Sequence, residues 1–225
     1  VLKNANIQFD RNLEIPVFIF SGEQTSSFTE LTLANQIDGG AWIIGINSIT
    51  EDFAQDQSLA GFDHDYTEET LGVFGQYTHD LSSSVVLEGG LRIDSHSDYG
   101  DFVLPRFSVL LLPASDLTLR IGGGYGYKTP TLFISEAEEI QFRNLEPIDP
   151  DRFDAETSKG LNFDINYRAE LSERLTLTSN LLLFYTEIDD ELDIEENNGN
   201  FRFRQMDTGI DTRSSELNLI FGFDE

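Results

Sequence analysis

Strict two-residue alternation is the feature that most constrains this chain. From Lys159 onward, Leu161, Phe163, Ile165, Tyr167 and Ala169 fall on one parity and Gly160, Asn162, Asp164, Asn166 and Arg168 on the other. Between Asp116 and Lys128, Leu117, Leu119, Ile121, Tyr125 and Tyr127 oppose Thr118, Arg120, Gly122, Gly124 and Lys128. Leu217, Leu219, Phe221 and Phe223 oppose Glu216 and Asn218 in the same way. A period of two belongs to a strand with one apolar and one polar face, and a one-residue slip would turn the whole apolar set over. Leu161, Phe163, Ile165 and Tyr167 should therefore share a face, as should Leu117, Leu119 and Ile121. Further strands are expected near 12–20, 28–37, 40–49, 70–79, 84–95, 101–112, 174–188 and 200–207, about eleven in all, with Pro16 marking an edge or bend. No helix is expected. The fold class is all-β, an antiparallel up-and-down meander.

The connections sort by length. Those at 80–83, 113–115 and 171–173 are short, whereas 95–101, 128–158 and 188–200 are longer. Successive antiparallel strands put alternate turns at opposite ends. The segments 128–158 and 188–200 should thus lie at one end and the short turns at the other. Short turns at one end and long loops at the other characterise a transmembrane β-barrel, whose apolar residues face lipid and whose polar residues face the lumen. A soluble, acidic β-sandwich binding a cation or a carbohydrate is the alternative, because alternation alone fits both.

Composition narrows the classes. The 225 residues carry 14 Lys and Arg against 41 Asp and Glu, a net charge of −27, which excludes a nucleic-acid partner that needs a basic face. With no cysteine there is no disulfide frame, thiolate metal site or cysteine nucleophile. No apolar run is long enough for a membrane-spanning helix, a test that a β-barrel escapes. The first residues, Val1-Leu2-Lys3-Asn4-Ala5, lack the apolar core of a signal peptide.

Gly122-Gly123-Gly124-Tyr125-Gly126-Tyr127-Lys128-Thr129 has the look of a phosphate loop. A Walker pattern would need glycine where Tyr127 stands, and Pro130 opposes the following helix. Small residues that let a strand coil are the better reading. Glu88, Arg92, Asp94, Arg106 and Arg120 share the polar parity of adjacent strands and form a candidate ladder of charge pairs. Acidic groups fill the long segments (Glu136, Glu138, Glu139; Asp149, Asp151, Asp154; Asp189 to Glu196), but none has EF-hand spacing, and a solvated loop surface is expected. No metal centre, cofactor or catalytic constellation is expected. No nucleophile-elbow Gly-x-Ser-x-Gly occurs either.

Three segments in order carry a family likeness: Gly90-Leu91-Arg92-Ile93-Asp94-Ser95-His96-Ser97-Asp98-Tyr99-Gly100, Leu104-Pro105-Arg106-Phe107-Ser108, and Leu119-Arg120-Ile121-Gly122-Gly123-Gly124-Tyr125-Gly126-Tyr127-Lys128-Thr129-Pro130. Together they resemble the barrel domain of TonB-dependent outer-membrane receptors. Leu71 to Tyr77, Glu156 to Leu161 and Thr212 to Leu217 are similar to neighbouring family strands, so the likeness covers roughly 40–223. Ser214-Ser215-Glu216 departs from it where relatives often carry a glycine. The resemblance implies one domain over 1–225, part of a barrel of about 22 strands. Nothing resembles the N-terminal plug, through which TonB would be engaged, so a partial barrel with two unpaired edges, unable to form a closed pore alone, is expected.

By the same resemblance the protein is a cell outer-membrane receptor and transporter, in contact with lipid and not an enzyme. Its ligand would be an extracellular scarce nutrient. Ferric siderophores or other iron complexes come first, ahead of cobalamin, haem and glycans. The loop residues His96, Asp98 and Tyr99, with Lys128, are the candidate ligand contacts.

Overall fold

The computed structural model describes residues 1–15, 18–58, 62–206 and 208–223. Its strands are β1 (Leu2–Ile15), β2 (Phe18–Ile37), β3 (Gly40–Ser58), β4 (Tyr66–Ser82), β5 (Val85–His96), β6 (Gly100–Ala114), β7 (Leu117–Lys128), β8 (Glu156–Ser172), β9 (Leu175–Asp189), β10 (Leu192–Asn197), β11 (Asn200–Gln205) and β12 (Ile210–Phe223). One short helix, α1 (Ser135–Glu139), lies between β7 and β8. β1 to β9 and β12 form a single ten-stranded antiparallel sheet in that order, and β10 pairs with β11 in a separate hairpin. The sheet is open, since β1 and β12 stand at its two ends.

The registers explain why this sheet forms. Leu31, Ile46, Val73, Ile93 and Val103 lie side by side across β2 to β6. Leu111, Leu119, Ile165, Leu181 and Leu217 do the same across β6, β7, β8, β9 and β12. The expected sharing of one face by Leu161, Phe163, Ile165 and Tyr167, and of one by Leu117, Leu119 and Ile121, fits the ladder, in which Ile121 meets Phe163, Leu119 meets Ile165 and Leu117 meets Tyr167. This aliphatic band is left open, with Val103 at 60% and Leu217 at 61% exposure. Among the described residues no second sheet covers it, so the sandwich alternative is set aside. Exposed aliphatic rows on a hydrogen-bonded sheet are what a lipid-facing wall requires.

Two-residue turns join the strands at one end: Asp38-Gly39, Ser83-Ser84, Ser115-Asp116 and Glu173-Arg174. The long connections after β7 and β9 lie together at the other end, as the loop lengths predicted, whereas the longer loop expected at 95–101 is only the three-residue turn 97–99, because β5 and β6 extend to His96 and Gly100. Several strand expectations need correction. The strand expected at 12–20 straddles the end of β1 and the start of β2, and Pro16 lies outside the described residues. Residues 200–205 belong to a hairpin rather than the wall, and their partner β10 lies inside the stretch read as an open loop. Among the described residues the sheet thus has ten strands, and the two of the hairpin make twelve. α1 is only one turn long, too short to leave a helical period in the sequence.

Above the band the faces exchange character. On β3, Asn47, Ile49, Glu51 and Phe53 continue the polar face of the lower wall, and there Phe53 is almost fully buried. Ser48, Asp52 and Ala54, on the opposite face, are exposed. A wall that leaves the membrane would carry this reversal, with water outside and packed side chains within.

Candidate functional site

The upper ends of β2 and β3 carry the buried core. Phe20 and Phe53 meet Leu132, Ile134, Ala137, Phe142 and Leu145 from the β7–β8 connection, and Leu192 and Phe203 from the hairpin. Phe20 stacks on Phe142 at 4.5 Å between centroids, and Phe133 meets Phe53 edge-on at 5.2 Å. The connection therefore reaches from β7 across the inner face to β2 and β3. Left-handed backbone at Gln141 (φ 60°) and Phe142 (φ 56°) reverses the chain after α1 and turns the Phe142 ring into the core. Leu145 and Phe201 form a bridge, with Glu146 N donating to Phe201 O at 2.8 Å and Phe201 N to Asn144 O at 2.9 Å. Gln205 Nε2 donates to the carbonyls of Asp154 and Asp190, both at 2.8 Å. Connection and hairpin thus make one cap over the long-loop end.

Beneath the cap is a cavity of about 100 Å³, lined among others by Glu51, His64, Glu68, Tyr99, Thr131 and Ile148. Of the expected contacts, His96, Asp98 and Tyr99 are brought together here. His96 Nδ1 accepts the backbone N–H of Asp98 at 3.1 Å, and the His96 and Tyr99 rings lie 5.2 Å apart. His96 is buried, so it holds the turn while Tyr99 reaches the cavity. Glu68 Oε2 lies 3.6 Å from His96 Nε2. Burial first, then the charges of Asp98 and Glu51, raise the Glu68 carboxyl to about 7. Burial lowers the His96 imidazole despite the same two carboxylates, and burial raises the Tyr99 phenol. Burial disfavours the charged form of both groups, so the Glu68–His96 contact is weakened as an ion pair. The cavity presents the carboxyls of Glu51, Asp65 and Glu68 beside the rings of His64, Tyr66 and Tyr99.

Glu68, His64 and Glu51 were not singled out in the sequence. Their burial comes from a segment more than 60 residues further along the chain, and no local signal marks it. Lys128 is not part of this group. Its ammonium sits 3.4 Å from Glu156, whose Oε1 also accepts the Leu192 N–H at 3.2 Å, so the pair ties the wall to the start of the hairpin.

Lower on the inner face, the ladder residues meet only in part. Arg92 Nε donates to Asp94 Oδ2 at 2.8 Å, and its Nη2 to Asn47 Oδ1 at 3.1 Å. Arg106 Nη2 lies 3.7 Å from Glu88 and bonds Gln76 as well. Gly90 and Gly124, paired with Arg106 on either side, clear its path, since a Cβ at either would come within about 3.1 Å of its side chain. Arg120 pairs in register with Asp164 and shares a hollow, not an ion pair, with Glu88 and Arg106. Tyr127 departs from the alternation. Its hydroxyl donates to Asp94 Oδ2 at 3.1 Å, and its ring stacks on Phe102 at 3.7 Å. Open hollows of about 590 and 600 Å³ flank Arg106 along this face.

A family model described as "TonB dependent receptor-like, beta-barrel" matches residues 4–221. No curated protein sequence matches significantly. Among solved structures, the chain is similar to the siderophore receptor PirA from Pseudomonas aeruginosa, with 17% identity, a TM-score of 0.69, and coverage of 97% of this chain and 44% of that one. It is similar to a mutant ferric enterobactin receptor, PfeA, of the same organism in complex with enterobactin, with 14% identity, a TM-score of 0.70, and coverage of 96% and 38%. It is also similar to a double mutant of the Serratia marcescens hemophore receptor HasR in complex with its hemophore HasA and heme, with 15% identity, a TM-score of 0.72, and coverage of 98% and 46%. The chain spans less than half the length of each of these receptors.

Proposed function

The chain belongs to the TonB-dependent receptor family as a β-barrel domain, an outer-membrane fold of receptors and transporters rather than enzymes, and from that premise we propose that it builds the wall and outer mouth of a receptor for an iron complex. The observation that carries this reading is the cap. Long loops close over the inner face at the end opposite the tight turns, and they enclose Tyr99, Glu68 and His64 beside a polar-lined interior. A ferric siderophore is the first choice of cargo and haem the second, supported by what the names of the similar structures say those proteins bind. In this reading His96, Asp98 and Tyr99 belong to the outer contact surface. Glu88, Arg92, Asp94 and Arg106 line the inner wall, against which a plug coupled to TonB would move.

Uptake in iron-limited cells tests this. Removing the gene should abolish accumulation of radioactive iron from one class of ferric complex, and so should removing TonB. Restoring the gene with Tyr99→Ala should recover about a tenth of the rate or less, since one aromatic contact at a binding surface is worth on the order of 2 kcal/mol. Iron uptake unchanged in the deletion strain, with loss of cobalamin or glycan uptake instead, would overturn the cargo and leave the fold untouched.

A further inference from the structure

Within the cavity beneath the cap, acid collects with no base beside it. Glu51 and Glu68 face each other directly in the β3–β4 ladder, and like charges so placed are destabilising. Asp65 lines the same space, its Oδ1 accepting the Gln55 N–H at 2.6 Å. Among the described residues no lysine or arginine lines the cavity, and the chain has none from Glu51 to Glu69. Burial first, then Asp98 and Glu51, push the Glu68 carboxyl up to about 7, with no cation among the causes.

The remaining walls are aromatic and aliphatic. The rings of His64, Tyr66 and Tyr99 stand around the carboxyls, and Pro130, Pro147 and Ile148 close the cap side. Tyr66 is fixed by stacking on Phe53 at 5.7 Å. The volume of about 100 Å³ is well below the roughly 300 Å³ at which pockets for whole small molecules begin. The space therefore takes a group of a few heavy atoms, an arm rather than an entire ligand.

We propose that this cavity is a subsite for a primary alkylammonium group, carried as a cationic arm by the iron complex that the mouth receives, an inference that rests on the cap being the receptor's outer binding surface. An ammonium offers N–H donors and no acceptor, which suits facing carboxyls that have only acceptors when ionised. Its charge and its alkyl stem both suit the faces of aromatic rings. A bare metal ion is the poorer match, because among the described residues no group of three or more histidine, aspartate or glutamate side chains converges to hold one. The charge of the cargo follows. A hydroxamate complex of iron(III) is neutral apart from its arms, so a free amine makes it a cation. A catecholate complex is an anion and would meet Glu51, Asp65 and Glu68 with like charge.

Hydrogen exchange of the 97–99 turn in the full-length receptor tests the subsite, since the Asp98 and Tyr99 amides both bond His96 Nδ1 beside it. Propylammonium, propan-1-ol and calcium are the probes. Propylammonium at saturation should slow exchange there about tenfold, the strength of one charge-assisted contact, and the alcohol of the same shape should not. Glu51→Gln with Glu68→Gln should remove the response. Asp52→Asn with Glu69→Gln, the same change of charge at exposed positions of the opposite face, should leave it intact. Equal protection by the alcohol or by calcium, or a response that survives in the Glu51, Glu68 double variant, would overturn the proposal. Binding of radioactive iron to outer membranes is the second measurement. A ferric trihydroxamate with a free primary amine should bind about tenfold more tightly than its N-acetyl form, and the two should bind alike in the Glu51, Glu68 double variant. Protection by propylammonium with no binding of either iron complex upholds the ammonium subsite and sinks the hydroxamate cargo. Iron-complex binding that ignores the amine, with no protection by propylammonium, sinks the subsite and leaves the receptor reading standing.

Discussion

The wall and the cap of this molecule are stabilised in opposite ways. In the wall, Ile121, Phe163 and Leu183 sit side by side with their apolar surface turned outward, and backbone ladders hold the strands. In the cap, Phe20, Phe142 and Leu145 sit side by side with their apolar surface turned inward, and short backbone ties merely position them. The wall needs lipid to finish it, because its open aliphatic rows have no partner of their own. The cap carries a water-type core, in which removing apolar surface from solvent is the driving force. One chain therefore uses two solvents, and the faces exchange roles near Asn47 to Phe53 on β3.

The largest effect should come from breaking the cap alone. Phe53→Ala removes a ring that is 2% exposed and packs on Phe20, Tyr66 and Phe133, a loss of about 3–5 kcal/mol. Limited proteolysis should then cut within 128–156 far faster, while the heat-modifiable gel mobility of the folded wall stays unchanged. If the wall melts with the cap, the two are not separable. Next comes the converse. Ile121→Arg places a charge in the aliphatic rows and should cost about 2–4 kcal/mol in vesicles. Asn162→Arg, on the inner face of the neighbouring strand, should cost well under half as much in the same guanidinium titration.

The same contrast decides what could be read from the sequence. Alternation is local, so β4 to β9 and β12 are legible, and their loops sort by end without any coordinates. β3 was expected to stop near 49 and continues to Ser58, because its buried residues change sides where the wall leaves the band. β11 was legible as a strand but not as a hairpin strand, since Phe201 and Phe203 alternate as wall residues do. Its partner Leu192 to Asn197 is acidic and only six residues long. Of the cavity lining, only Tyr99 was named from its loop, with His96 and Asp98 beside it, while Glu68 and His64 were not. The residues they face across the cavity, Thr131 and Ile148, lie far along the chain.

A smaller effect sharpens the comparison inside the wall. A Cβ at Gly72 would stand 2.4 Å from both Asn47 Oδ1 and Asp94 Oδ1, whereas at Gly75 the nearest atom is 3.7 Å away. Gly72→Ala should thus cost about 1–3 kcal/mol by overpacking the Asn47–Arg92–Asp94 cluster. Gly75→Ala should be within about 0.5 kcal/mol of the wild type. Equal effects at the two glycines would mean that the inner cluster yields easily and does not brace the wall.

The smallest effect lies at the joint between wall and cap, and it is read in its pH dependence. Glu68 titrates at about 7 when folded against an ordinary 4.5, so between those values the folded state holds a proton that the unfolded state has released. Stability must then fall as pH rises through this window, with the full penalty present above 7. The Glu68 side chain is still 19% exposed, and solvent screening keeps this contribution below that of Phe53→Ala, Ile121→Arg and Gly72→Ala. Glu68→Gln keeps the shape and removes the titration. Hydrogen exchange of the 97–99 turn should slow in the variant at pH 8 relative to the wild type and match it at pH 4. Asp98→Asn should give the same change more weakly, because Asp98 is the second cause of the shift after burial. If the wild-type and Glu68→Gln profiles run parallel across this range, Glu68 is solvated as an ordinary carboxylate and the cap does not close over it.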